Sequence, residues 1–127
     1  MTEPDADRLK QFSFLVFSKL EGAVTAGMIH LGDRLGLYRA LARLDRPVTS
    51  AELAEHTGLD ERWVREWAYN QAAARIVDVV AAAGAAERFS LSGEAVAVLA
   101  DADHPSFGMG MCHRLPQTME SLKLLPD

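Results

Sequence analysis

The sequence holds a single cysteine, Cys112, so an internal disulfide is excluded and a reducing compartment is implied. Basic residues are also scarce, 13 Lys and Arg against 18 Asp and Glu, for a formal net charge of −5. That balance counts against nucleic acid, whose binding needs a basic face to displace counterions. No unbroken apolar run approaches the roughly 20 residues needed to cross a bilayer. The start, MTEPDADRLK, is acidic and lacks a signal-peptide pattern, so no membrane is expected and the cytoplasm is the expected location. Catalytic motifs are missing too: there is no G-x-S-x-G, no P-loop and no Cys/His pair at metal spacing. His30, His56, His104 and His113 are scattered. The one Gly-x-Gly, Gly108-Met-Gly110, follows no strand and lacks the setting of a nucleotide-binding turn. The residues therefore offer no catalytic set and no metal site.

What is present is a chain of 127 residues, 49% of them hydrophobic, enough for one domain, or one domain plus an appendage. Its centre is Val48 to Val80. Thr49 is a good N-cap and Glu52, three residues on, completes a capping box. Leu53 and Ala54 give this helix an inward face, and Gly58 ends it where a left-handed residue is needed. Asp60 caps a second helix in which Trp63, Val64 and Trp67 fall on one face. Ile76 to Val80 reads as a strand, with Phe89-Ser90-Leu91 as its hairpin partner across a loop containing Gly84. Helix, turn, helix and hairpin together predict a winged helix-turn-helix.

Before this core, Asp5 to about Glu21 reads as a first helix. Phe12, Leu15, Val16 and Leu20 share a face, and Phe14 and Phe17 widen the apolar arc beyond a surface stripe. Ala23 to Leu35 reads as a second helix, with Val24, Met28, Leu31 and Leu35 forming a coiled-coil-like seam. Gly22 and Gly36 punctuate helix ends. Leu37 to Leu44 is a short third helix, closed before Pro47. After the wing, Ser92 caps a helix that ends in the polar turn Asp101 to Pro105. Pro105 to Arg114 and Leu115 to Leu125 are two further apolar segments divided by Pro116, with Leu115, Met119 and Leu122 on one face. The fold class is thus mainly α: a winged helix-turn-helix with a short β-hairpin wing, flanked by N- and C-terminal helices. The organisation expected is 1–36 for dimerisation helices, 37–91 for the winged core and 92–127 for C-terminal helices leading to a further domain. Apolar arcs this wide on the first and last helices point to an interface.

The same fold serves DNA reading and plain dimerisation. For DNA, Arg62, Arg65, Tyr69 and Asn70 are the residues that would face outwards, against the simpler reading of a solvated face with an Arg62–Glu66 pair. For a small apolar or aromatic ligand, the adaptable methionines of Phe107 to His113 are candidates, with His113 able to orient or deprotonate a hydroxyl.

Several segments in order carry a family likeness: His30-Leu-Gly-Asp-Arg-Leu-Gly-Leu-Tyr-Arg-Ala-Leu41, Val48-Thr-Ser-Ala-Glu-Leu-Ala54, Thr57-Gly-Leu-Asp-Glu-Arg62, Val64-Arg-Glu-Trp67 and Arg88-Phe-Ser-Leu-Ser92. Over Ala23 to Phe107 the chain resembles the N-terminal winged-helix region of bacterial class I S-adenosylmethionine-dependent methyltransferases, relatives of the small-molecule O-methyltransferases. The resemblance implies a homodimerisation region whose helices help close a substrate pocket. It places Phe14, Phe17, Met28, Phe107, Met111 and His113 near a dimer seam or pocket wall. S-adenosylmethionine is the cofactor implied for the parent protein, but the cofactor-binding domain and its base would lie beyond Asp127, so this stretch alone is not expected to transfer a methyl group. The alternative is a stand-alone winged-helix transcriptional regulator or small-molecule-binding dimer.

Overall fold

The structure is a computed structural model and describes residues 2–126; Met1 and Asp127, the outer ends of the first and last segments, lie outside the described residues. Its first element is one unbroken helix, α1 (Ala6–Arg34), of 29 residues. Asp5 caps it, its carboxylate accepting from the Arg8 amide at 3.0 Å. The sequence reading divided this stretch at Gly22, and the structure corrects that. A glycine costs a helix only about 1 kcal/mol. With no proline and no competing cap nearby, that is too little to stop propagation. Gly36, at φ +74°, is the glycine that does end the run, and α2 (Leu37–Leu44) follows at once.

The same helix qualifies the membrane expectation. By length and composition alone α1 could cross a bilayer, since its most apolar 18 residues average a hydropathy of 1.3. Lys19 and Glu21 interrupt the apolar residues, which is why a search for unbroken runs passes it over.

The winged core forms as its caps dictate. In α3 (Ser50–Thr57) the Thr49 hydroxyl accepts from the Glu52 amide at 3.1 Å, and the Glu52 carboxylate accepts from the Thr49 amide at 2.8 Å. Gly58, at φ +72°, closes the helix. Asp60 then caps α4 (Glu61–Ala73) through the amides of Arg62 and Trp63. Strands β1 (Asp78–Val80) and β2 (Arg88–Ser90) pair antiparallel with Val79 opposite Phe89. Phe89 also exchanges both backbone hydrogen bonds with Val48, at 2.9 and 2.7 Å, so the segment before α3 is stitched to the wing.

The core lies where these elements meet. Leu37, Tyr38, Leu41, Val48, Leu53, Val64, Trp67, Val77 and Phe89 are almost wholly buried. Trp63 is not among them. It was read as sharing one face with Val64 and Trp67, but it sits a hundred degrees of helix from Val64, on the far edge of the stripe, and is 68% exposed. Beyond the wing come α5 (Gly93–Leu99), capped by Ser92, the four-residue α6 (Met109–Cys112) and α7 (Leu115–Ser121), which ends in a 3₁₀ turn at Leu122–Leu124. Pro116 falls in the first turn of α7, where a missing amide costs nothing.

Candidate functional site

Three features could bind or position something. The largest is a groove of about 580 Å³ between α1 and α4. Met28, Leu31 and Leu35 of α1 form one wall, Trp63 and Trp67 of α4 the other, and Asp60 and Glu66 stand at its rim. The walls are held in register from behind: the Trp67 indole N–H donates to the Met28 carbonyl at 3.0 Å, and the Trp67 ring meets Tyr38 edge-on at 5.2 Å. At Gly32 the two helices come so close that a Cβ would lie 2.7 Å from the Trp67 ring.

The second feature is a polar hub at the end of α1. Asp33 is a buried carboxylate, and such a group needs partners. It has two: the Arg39 guanidinium, at 3.0 Å to the carboxylate and 2.9 Å to the Asp33 carbonyl, and the His113 Nε2. The His30 ring stands perpendicular to that of His113, 6.3 Å away. Burial, with Asp33 as a smaller influence, raises the pKa of the Cys112 thiol above the usual thiol range, so it stays protonated and unreactive. Burial likewise raises the pKa of the Tyr38 phenol, which donates its proton to Gln71. The hub's geometry pins α6 to α1 and α2.

The third is a shallow hollow of about 450 Å³ bordered by Phe107, Met111 and Arg114. The six residues grouped by resemblance are therefore dispersed. Met28 is in the groove. Phe14 and Phe17 lie on the free half of α1, in a hollow with Leu9 and Lys10. Phe107 and Met111 share the third hollow, and His113 turns away from them toward Asp33. Asp33 and the exposed Trp63 were missed in the sequence. The signal for Asp33 was present: a lone acid beside Gly32 within an apolar helical run.

The surface proposed for DNA is already engaged. Arg62 stacks on Trp63 at 5.5 Å, Arg65 pairs with Glu61 at 3.6 Å, and the Tyr69 hydroxyl donates to Glu87 at 3.2 Å. The Asn70 side-chain oxygen accepts from Gln71 at 3.1 Å. The Arg62–Glu66 pair expected from sequence gives way to Arg65–Glu61, because Arg62 lies over the indole instead.

A winged helix-turn-helix preceded by one long helix that half overhangs it is the class of domain this geometry defines. Residues 23–101 match the Rv2258c-like winged HTH domain family, and the chain belongs to that family. No curated protein matches it. Among solved structures, human N-acetylserotonin methyltransferase superposes with a TM-score of 0.73 at 14% identity, over 94% of this chain and 33% of that one. The mitomycin 7-O-methyltransferase MmcR gives 0.71 at 22% identity, over 94% and 36%. CalO1, a methyltransferase of calicheamicin biosynthesis, gives 0.58 at 25% identity, over 81% and 28%. The chain spans about a third of the length of these proteins, and its likeness is to their N-terminal regions.

The first and third of these were solved with S-adenosylmethionine and its demethylated product bound. The residues described here do not fit that cofactor. Gly108 and Gly110 flank the start of a four-residue helix rather than following a strand, and Gly108 has φ −109°, with no left-handed turn to cradle a ligand.

Proposed function

We propose that the chain is the dimerisation and substrate-lid region of an S-adenosylmethionine-dependent small-molecule methyltransferase, with the cofactor held by residues outside 1–127. It works as a homodimer in the cytoplasm and takes no nucleic acid. Residues 1–36 supply the dimerisation helix, 37–91 the winged scaffold and 92–127 the lead to a catalytic domain. The observation that carries this reading is the superposition of almost the whole chain on about a third of each of several methyltransferases. The overhanging apolar half of α1 supports it, since a surface of that kind needs cover. The acceptor is a small apolar or aromatic molecule, for which Phe107 and Met111 offer apolar walls.

Two measurements test it together. The native gene product, detected in its source cell with an antibody to this domain, should be several-fold heavier than 13.9 kDa. Calorimetric titration of S-adenosylmethionine into the 127-residue chain should give no heat of binding. A native product of 13.9 kDa, or cofactor binding by the short chain, would overturn the reading.

A further inference from the structure

On one face of α1, a mainly apolar row runs at alternating steps of four and three along most of the helix: Lys10, Phe14, Phe17, Glu21, Val24, Met28, Leu31, Leu35. That is a full heptad seam, apolar at six of its eight positions. Over its last third the seam is flanked by α4 and becomes one wall of the groove. Over its first half it is bare, with Phe14 and Phe17 each 67% exposed. At 1.5 Å per residue the helix is about 44 Å long, so the bare half reaches well beyond the winged core.

We infer that the groove between α1 and α4 receives the bare half of α1 from a second copy of this chain, the two helices running antiparallel. This rests on the dimer reading above and specifies its geometry. The register follows from the seam. Phe17 meets the partner's Met28, Phe14 meets the partner's Leu31, and Lys10 comes beside the partner's Leu35. The two-fold axis crosses between Gly22 and Ala23. Both aromatic rings then enter the groove beside Trp63, and Lys10 arrives at the rim that carries Asp60 and Glu66, a complementary charge. A parallel pair would instead stack Lys10 on Lys10 and Glu21 on Glu21, two like-charge contacts, and would leave both grooves empty. Antiparallel packing fills two grooves and covers two bare half-helices at once.

The pairing is isologous, so each contact occurs twice. Cysteine cross-linking in the 127-residue chain, with Cys112→Ser as background, tests the register directly. Positions 17 and 28 are 11 residues apart on one straight helix, about 16 Å, too far for a disulfide within one chain. Phe17→Cys with Met28→Cys should therefore give a covalent dimer under mild oxidation, while either cysteine alone should not. Glu21→Leu, which removes the one charge inside the seam, should lower the dimer dissociation constant in sedimentation by at least about tenfold, equivalent to 1.4 kcal/mol. Cross-linking by the single cysteines would establish a parallel pair and overturn the inference while leaving the dimer reading standing. So would a dimer by mass that neither the single nor the double variant cross-links. A chain that stays monomeric in sedimentation, with Glu21→Leu as well as without, would overturn both.

Discussion

The winged core and the first half of α1 are built from similar proportions of apolar residue and use them in opposite ways. In the core, the buried large side chains are enclosed by this chain's own elements, and the polar groups that go in with them are matched: Tyr38 with Gln71, Trp67 with the Met28 carbonyl, Asp33 with Arg39 and His113. In the first half of α1, Leu9, Phe12, Phe14, Leu15, Val16, Phe17 and Leu20 are all between 48% and 67% open to water. The core is closed and gains stability from its own packing. The overhang gains little from the domain it belongs to, because its large side chains lie open instead of being enclosed. A chain with a folded reason for one region and none for the other has its second reason outside itself.

The comparison can be broken most forcefully at Phe89. This ring is buried beneath the wing and bridges β2 to Val48 and Tyr69. Phe89→Ala should cost about 3–5 kcal/mol of unfolding free energy. Phe12→Ser, on the overhang and off the heptad seam, should stay within about 0.5 kcal/mol of the parent. Urea unfolding at one fixed protein concentration measures both. Equal losses would mean that the overhang is part of the folded core after all.

Next in size is Gly32→Ala. The added methyl would meet the Trp67 ring at 2.7 Å and the Tyr38 ring at 2.8 Å. Both rings are tethered, so they cannot step aside without breaking hydrogen bonds. Overpacking of this kind costs about 1–3 kcal/mol. The clash should also widen the groove, so tryptophan fluorescence should shift to the red, and an unshifted spectrum with unchanged stability would show that α1 and α4 have room to slide.

Much of this was legible in the sequence, and the reasons divide cleanly. The caps Thr49, Gly58, Asp60 and Ser92 are local chemistry, each decided by a side chain and an amide a few residues away, so their positions follow from spacing alone. The hairpin around Gly84 is similar, the glycine taking φ +75° as a tight loop asks. Longer-range features were harder to read. Trp63 and Trp67 have the same composition and the same helix, and only the direction from which α1 approaches decides that Trp67 is buried and Trp63 open. The hub of Asp33 and His113 joins residues 80 apart in sequence, and no periodicity links them. Gly22 misled because glycine marks a helix end only when something competes for the backbone, and nothing does there. The candidate pocket residues were grouped by resemblance, and this chain alone does not bring them together.

A smaller effect is expected at the capping box, with a pH signature. Hydrogen bonding from the Thr49 amide, helped by Arg46 and Arg88, holds the Glu52 carboxyl below the usual carboxylate range. A carboxyl depressed in the folded state adds stability at pH values above its unfolded pKa, and that contribution is lost as pH falls through the folded value. The parent should therefore lose stability on acidification below about pH 4.5, the ordinary pKa of a glutamate. Thr49→Ala should cost about 1 kcal/mol near neutrality. Its cost should persist in acid, since the threonine hydroxyl does not titrate, whereas Glu52→Gln should flatten the acid slope itself. Denaturant midpoints between pH 3 and 7 separate the two, and an unchanged slope in Glu52→Gln would remove Glu52 from the network.

The mildest change sharpens the comparison from the other side. Gly22 lies in the overhang near the middle of α1, off the heptad face, and a Cβ there would meet nothing within 4 Å. Gly22→Ala should thus act through helix propensity alone, favouring the helix by up to about 1 kcal/mol. Because the added methyl meets no atom of the core, the gain should appear as slower amide exchange from about residue 10 to 26, with the urea midpoint of the winged core unmoved. A rise in the core midpoint would mean that the overhang and the core unfold as one unit. Exchange that does not slow would mean that another surface already holds the helix in place, and a second copy of α1 is the surface the seam describes.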